Sequence, residues 1–573
     1  MQQPIDLGAR RPPMAREASA SRAILRSFAQ HGVTAAFGIP GGLVSPIFDA
    51  LAEVPSIRLV STRHETMAGF CAMGHAVATG TPALVVTTSG PGITNAVTAL
   101  AAADAEELPL ILVGGEVPTR SVGRAAFQDA SQGALDVVAM LRTVTRWSTR
   151  LEDASAAAAV ATRALRIATG PRPGPVFISV PLDVGNARSL APAISVAPPP
   201  IPCEPDLTAS ARVALALAAA RRPLLVLGNG CRSAADEARA LADAVRCPVV
   251  TTAHAKGVFP ENHDLYLGII GFGGHPSALE YLESRPDVVL VVGSRLGDFA
   301  TDGWAVHVAG SAATFQIDRD GAFLGRNCSL TLGIVADARA ALRGVLSALP
   351  SDIAPFSRDR PRFRRHDADA RDDDAVPLRP ARVLRAFEEA FPGAFWTSDI
   401  GEHCAHVVHH VTIDRPERFR AMLGLASMGS GIGTAIGVRH ASPETPVVCV
   451  CGDGGFAMHA GDLLTCVQNE IGVVFVVFND GRWNMVQHGF RAVYGREPPD
   501  LAGEMADLAQ VANGFGAVGV RVEHPQDLDP ARLREAASLG RPVVFDVRID
   551  PSDALSVGTR SASVRRSAFE DLA

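Results

Sequence analysis

Long apolar runs are missing from this chain. No stretch approaches the roughly 18 consecutive apolar residues of a membrane-spanning helix, so no span is expected. Positive charge is not in excess either: 53 Lys and Arg against 60 Asp and Glu leave a net charge of -7, and the basic residues are scattered. That excludes a basic surface of the kind that holds nucleic acid, and the small acidic excess serves solubility. CxxC pairs are absent. The 9 cysteines run from Cys71 to Cys466, and Cys449 and Cys451 alternate within one apolar strand. Buried thiols in a reducing compartment fit this better than disulfides or zinc. Residues Met1 to Ser21 lack the apolar core of a secretory signal, and Asp6 and Glu17 speak against a transit peptide. A disordered arm over 1–20 and a cytoplasmic protein are expected.

What is present is the profile of a soluble globular protein, with 47% apolar and 20% charged residues over a length of 573. That length predicts about three domains. In the first block, spanning 21–190, a helical run from Ser21 to Gln30 leads to strand-like runs at Thr34–Gly38, Ala83–Val86, Leu110–Val113 and Val176–Pro181. An Ala-rich helix over Ala96–Ala105 separates two of them. Pro192 to Pro205, with Pro198-Pro199-Pro200, reads as a linker. The second block, 206–350, has strands at Pro223–Gly228, Pro248–Thr252, Val288–Val292 and Thr314–Ile317. The charged stretch Ser351 to Asp374 reads as a solvated connector or exposed helix, within a linker over 351–378. The third block, 379–552, opens with a helix around Pro380–Ala390 and has strands at Phe395–Thr397, Val447–Cys451, Val473–Phe478 and Pro542–Val547. The polar segment 553–573 is an irregular tail. Short apolar runs alternating with helices imply three consecutive open parallel α/β sheets, the first and third alike in layout.

The strongest local signal is Gly452-Asp453-Gly454-Gly455-Phe456, directly after the apolar strand Val447–Cys451. A helix over Ala460–Asn469 and the strand Val473–Phe478 follow, ending in Asn479-Asp480-Gly481. Glycines where a strand meets a helix let the backbone approach a phosphate, whose charge the helix N-terminus favours. A diphosphate also needs a cation, and Mg²⁺ takes one or two carboxylates plus phosphate oxygens. Asp453 and Asp480 end two successive strands, and in a parallel sheet those ends share one ligand-binding edge. Gly-Asp-Gly alone is also an ordinary turn.

With the strand, helix and second acid at this spacing, the chain resembles the thiamine-diphosphate-dependent enzymes. The resemblance implies that Asp453, the Asp480 side chain and the Arg482 main-chain carbonyl bind Mg²⁺. Gly452, Gly454, Gly455, Trp483, Asn484 and Met485 are then expected around the cofactor. The family usually has Asn where Asp480 stands. In the first block His64-Glu65 matches the family's His-Glu pair, whose carboxylate polarises the cofactor's pyrimidine nitrogen, so Glu65 is the expected catalytic residue. Its plain alternative is a surface helix glutamate. Phe37-Gly38-Ile39-Pro40-Gly41-Gly42 resembles the family's FGxPGG loop, which places Pro40 and Gly41 at the cofactor, and Thr88–Asn95 resembles its TSGPGxTN turn. Met428 matches the large residue that bends the cofactor, with core packing as its alternative. Ala426 stands at a usual Gly whose carbonyl faces the cofactor's amino group. Asp399-Ile400-Gly401-Glu402-His403 resembles the DxGQH segment at the diphosphate, with Glu402 for the usual Gln. In this family Glu65 and Asp453 serve one cofactor from different subunits, which implies a homodimer or homotetramer.

The likeness covers about Ser21 to Asp550 and is densest with the acetolactate-synthase-like group. Ala126-Phe127-Gln128-Asp129 resembles that group's AFQE segment, placing Phe127 and Gln128 near the reacting carbon. Ala255–Pro260 resembles its KGxFPE run. Gly293–Asp298 resembles its GxRFDD strand end, so Arg295 is expected to face a substrate carboxylate or a flavin, or else to serve as a capping or salt-bridged arginine. Gln128, Arg295, Met485 and Val486 are the expected substrate contacts, for a small 2-oxo acid such as pyruvate. No His-His pair occurs over Thr119–Asp129, so transfer of the acyl unit to a second carbonyl is favoured over release as aldehyde. Gly489 occupies the position of the group's acceptor-selecting Trp, and Phe299 replaces an acid, which together suggest a specialised acceptor. Gly228-Asn229-Gly230 leaves FAD in the middle domain an open alternative. A non-ligating 2-oxo acid or acyl-CoA decarboxylase and a catalytically silent homologue are the competing readings.

Overall fold

The computed structural model describes residues 18–189, 203–304, 308, 313–353, 361–498, 504–538 and 540–555. Most of the expected arm and of the Pro192–Pro205 linker, part of the charged connector and the tail beyond 555 lie outside the described residues. The chain divides into two compact units, residues 1–72 with 81–199 and residues 200–573 with 73–80.

The first unit holds a six-stranded sheet, parallel throughout, in the order Arg58–Ser61, Ala35–Gly38, Ala83–Thr87, Leu110–Glu116, Pro175–Pro181, Trp147–Arg150. Its inner strands are buried along their whole length, as strands covered on both faces must be. Residues 18–20, assigned to the arm from the sequence, belong to the fold. Ala18–Ser19 pairs antiparallel with Arg188–Ser189, and the Ser19 hydroxyl caps the helix Ala20–Gln30 by accepting from the Arg22 N–H at 3.2 Å.

The second unit holds two more such sheets. The middle one runs Tyr266–Ile270, Val249–Thr252, Pro223–Leu227, Val288–Val292, Ala313–Asp318, Leu332–Val335. Alternate residues of its strands enter two separate apolar clusters: Leu225, Leu227 and Leu290 in one, Leu224, Val226 and Val291 in the other. The third sheet runs Phe419–Ala421, Phe395–Ser398, Val447–Gly452, Val474–Asn479, Val543–Arg548, Val518–Val522. Numbered along the chain, its strand order is the same as in the first sheet, and the middle sheet differs. In both like sheets the chain moves to one side after the first strand and to the other side with the third. The crevice at such a reversal opens at the C-terminal strand ends. It falls at Ile39–Gly41 and Thr88–Gly90 in the first sheet, and at Asp399–Gly401 and Asp453 in the third.

Middle and third domains share apolar packing, since Ala253, Ile269 and Phe272 join the cluster built on Phe387, Val407 and Phe545. The charged connector is more than a solvated strand of chain. Ala370 is buried, and Arg371 pairs with Glu388 at 2.7 Å while Asp374 pairs with Arg382 at 2.8 Å, docking it on the helix Pro380–Ala390. None of the nine cysteines is in a disulfide; seven are buried, whereas Cys203 is exposed and Cys328 half-buried. Among the described residues no helix is long and apolar enough to cross a membrane.

Candidate active site

Glu65 is the first residue of the helix Glu65–Thr79, where a carboxylate suits the positive end of the helix dipole. It is buried, not a surface residue, and its Oε2 accepts from the Asn95 side-chain amide at 3.0 Å. The turn that carries Asn95 approaches so closely that a Cβ on Gly92 would lie 3.4 Å from Glu65 Oε1. Across the crevice a Cβ on Gly41 would lie 2.5 Å from Thr88, whose buried hydroxyl has no protein partner. Pro40 is exposed beside it. Gln128 is fixed to the same turn: its carbonyl accepts from the Ser89 hydroxyl at 2.8 Å, and it holds a left-handed φ of 58°. Phe127 projects outward with 85% exposure.

In the third sheet, Asp453 opens the helix Asp453–His459 immediately after the strand Val447–Gly452. Its carboxylate accepts from the Gly454 N–H at 2.6 Å and the Gly481 N–H at 2.8 Å, tying together the two strand ends. Asp480 accepts from the Arg482 N–H at 3.0 Å and from the Asn484 side chain. Burial raises the Asp453 carboxyl above its ordinary range, and burial together with the neighbouring Asp453 and Glu402 charges pushes Asp480 up to about 7. Two partly buried acids side by side at one strand edge suit a bound cation. Among the described residues no three His, Cys, Asp or Glu side chains form a metal cage. Two carboxylates and a main-chain carbonyl fit Mg²⁺ that takes its other ligands from a phosphate and water.

Beside them stands a buried imidazole with an unpartnered nitrogen. His403 is buried, its imidazole is pushed down to about 3 by burial, and its Nε2 has no protein partner. A Cβ on Gly401 would lie 2.5 Å from this ring and one on Gly452 3.2 Å from it, so both glycines leave room for the imidazole at the crevice. Trp483 lies on Gly454, where a Cβ would come within 2.9 Å of the indole. Ala426 has a left-handed φ of 58°, a conformation that suits glycine and costs Ala about 1 kcal/mol. Met428, half-buried, reaches to within 3.8 Å of where a Gly455 Cβ would stand. Met485 packs against the third-domain core, and Val486 is exposed.

Reading the sequence for site residues missed Asp399, although it quoted the motif that contains it. Fully buried, Asp399 accepts from the Gly429 N–H at 2.9 Å and the Gly431 N–H at 3.1 Å, and burial pushes its carboxyl up to about 6. A Cβ on Gly455 would sit 2.6 Å from it. It therefore anchors the Met428 loop to the crevice.

Two segments singled out in the middle domain have packing partners within the chain. The Arg295 guanidinium stacks 3.7 Å from the Phe323 ring centroid, a cation–π contact inside its own domain. Gly228 and Gly230 are required by backbone contact with Gly293: a Cβ on Gly228 would lie 2.2 Å from the Gly293 carbonyl. Asn229 accepts from Arg232 at 2.7 Å and from Arg420 at 2.6 Å.

Comparison with known proteins agrees with this geometry. Residues 18–140 match the thiamine pyrophosphate enzyme N-terminal TPP binding domain, residues 210–345 the central domain, and residues 399–547 the C-terminal TPP binding domain. The chain is 32% identical to the acetolactate synthase isozyme 3 large subunit of Escherichia coli, over 93% of this chain and 95% of that protein. It is 32% identical to an acetolactate synthase of Arthrospira platensis, over 92% and 93% respectively. With the acetolactate synthase large subunit of Corynebacterium glutamicum it shares 31% identity, over 92% and 86%. The chain belongs to the thiamine-diphosphate-dependent enzymes, in their acetolactate-synthase-like group.

Proposed function

We propose that this enzyme decarboxylates a small 2-oxo acid, pyruvate in the first instance, and transfers the acyl unit to a carbonyl acceptor, using thiamine diphosphate and Mg²⁺. The observation that carries the reading is the Asp453–Asp480 pair, two largely withdrawn acids that successive strand ends bring to one crevice, where the Gly481 N–H bridges to Asp453 at 2.8 Å. Asp453, Asp480 and the Arg482 carbonyl would hold Mg²⁺. His403 Nε2 and the N-terminus of the helix Asp453–His459 would take the diphosphate. Met428, on the loop that Asp399 anchors, would set the cofactor's bend, and Ala426 would present its carbonyl to the amino group. Glu65 would hold a proton at the pyrimidine ring nitrogen. Bound thiamine diphosphate supplies the electron sink for the pair left when CO₂ departs. Phe127, Gln128, Met485 and Val486 would line the donor site, and the exposure of Phe127 fits a side chain that a second copy of the chain covers in a homodimer or homotetramer. Arg295 as a substrate contact would require it to leave Phe323. No step of this reading uses FAD. The buried thiols support a cytoplasmic setting.

The test is incubation with thiamine diphosphate, Mg²⁺ and a panel of 2-oxo acids, with mass analysis of the products. An acyloin carrying the acyl unit on a second carbonyl is expected, with an acceptor other than pyruvate preferred because Gly489 opens the position of the acceptor-selecting Trp. Aldehyde as the product would replace ligation by simple decarboxylation, and rapid, clean acetolactate formation from pyruvate alone would refute the specialised acceptor.

A further inference from the structure

Glu402 and His488 stand 86 positions apart in the chain, yet His488 Nδ1 lies 2.9 Å from Glu402 Oε1. Both side chains are largely withdrawn from solvent, with 14% exposure for His488 and 17% for Glu402. Glu402 opens the helix Glu402–His410, next to the buried His403. His488 lies on the helix Asn484–Tyr494, one turn after Asn484 and therefore on the same face. Successive turns of that helix thus each bring one side chain to an acid: Asn484 to Asp480, and His488 to Glu402. No residue of this helix is buried, so these polar contacts, with the packing of Met485 and the Asn484 amide donated to the Pro551 carbonyl at 3.2 Å, help to seat it.

The electrostatic setting explains why such a contact is needed. The Gly481 N–H ties Asp453 to the Asp480 strand end at 2.8 Å, and one helix face reaches Asp480 through Asn484 and Glu402 through His488, so three carboxylates line one crevice. A diphosphate entering there brings more negative charge. An amide at position 402 would need no counter-charge; a carboxylate does. Glu402 in turn holds the imidazole of His488 above its ordinary range, chiefly through their hydrogen bond.

We propose that His488 is a positioning residue that compensates charge at the diphosphate edge: paired with Glu402, it cancels a carboxylate that would otherwise repel the cofactor, so the two positions work only together. This rests on the reading of the crevice as a thiamine-diphosphate and Mg²⁺ site and deepens it.

The experiment measures thiamine diphosphate binding to the full-length protein by titration calorimetry in Mg²⁺, alongside kcat and KM for pyruvate. His488→Gln is expected to weaken binding about tenfold or more, since it leaves Glu402 uncompensated in a partly buried site. Adding Glu402→Gln to His488→Gln should then tighten binding by about fivefold or more relative to the single variant, and His488→Lys, which keeps a cation, should do likewise. A helix latch without an electrostatic role predicts no recovery, because both of these variants lack the imidazole. Equal affinity of His488→Gln and the unaltered protein, or no recovery in the double variant, would overturn the proposal. Failure of the unaltered protein to bind thiamine diphosphate would instead overturn the reading of the site itself, and this proposal with it.

Discussion

Glu65→Gln is expected to lower kcat by roughly 10²-fold or more while shifting folding stability by no more than about 1 kcal/mol. The two effects separate because the side chain has two separable tasks. Its structural contact is one accepted hydrogen bond, from the Asn95 amide at 3.0 Å, which the carbonyl oxygen of Gln also accepts. Gln is isosteric, so the close approach of Gly92 to the same carboxylate is preserved. What Gln cannot do is hold a transferable proton against a ring nitrogen, and that is the role assigned to Glu65. Steady-state turnover at saturating thiamine diphosphate, beside a thermal denaturation profile, measures both. Near-normal turnover in the variant would refute the assignment.

Lys256→Met is expected to cost about 3–5 kcal/mol of stability in the unit formed by the middle and third domains. Lys256 has no exposed surface, and its Nζ donates to Glu261 Oε1 at 2.6 Å and to the Val408 carbonyl at 2.9 Å. Burial drives the lysine down and the glutamate up, and each is opposed by the charge of its partner. Met fills the aliphatic stem but leaves Glu261 buried without its contacting cation. The companion variant Lys256→Met with Glu261→Gln should recover much of the loss, because no uncompensated charge remains. The denaturant midpoint of each variant reads this directly, and an unchanged midpoint in Lys256→Met would contradict it. The effect should also reach the active site, since Val408 lies on the helix whose first turn carries Glu402 and His403.

How much of this was legible in the amino acids follows from burial. The inner four strands of each sheet are covered on both faces and appear as near-continuous apolar runs, such as Val447–Cys451 and Val288–Val292. All twelve were readable. The two edge strands of each sheet were not. Arg58–Ser61, Trp147–Arg150 and Val518–Val522 are partly exposed and carry polar residues, so their composition resembles loops, while Leu332–Val335 is partly exposed, short and broken by Gly333. Tyr266–Ile270 and Phe419–Ala421 are buried, but each has an interrupting signal, Gly268 with a φ of 118° in one and the charged Arg420 in the other. The helix expected over Ala460–Asn469 is present as a 3-10 turn, Ala460–Asp462, continued by the helix Leu463–Gln468; not expected was the separate helix before it, which opens at Asp453, a residue the sequence treated as a ligand only. In the structure that residue also accepts from the N–H of its own first turn.

The site divides in the same way. Motifs held by backbone constraint, such as Gly41 against Thr88 or Gly452 and Gly401 around His403, leave an ordered mark in the sequence because any Cβ there would collide. Partnerships between distant side chains leave none. Asp399 with the Gly429 and Gly431 amides, Arg295 with Phe323, and Glu402 with His488 are set by topology, and only coordinates reveal them.

Equilibrium titration of the purified protein with thiamine diphosphate, with and without Mg²⁺, tests the central claim most directly. Saturable binding of one cofactor per chain that requires Mg²⁺ and is reversed by a chelator is the predicted result. No binding, or binding indifferent to the metal, would contradict the assignment of Asp453 and Asp480.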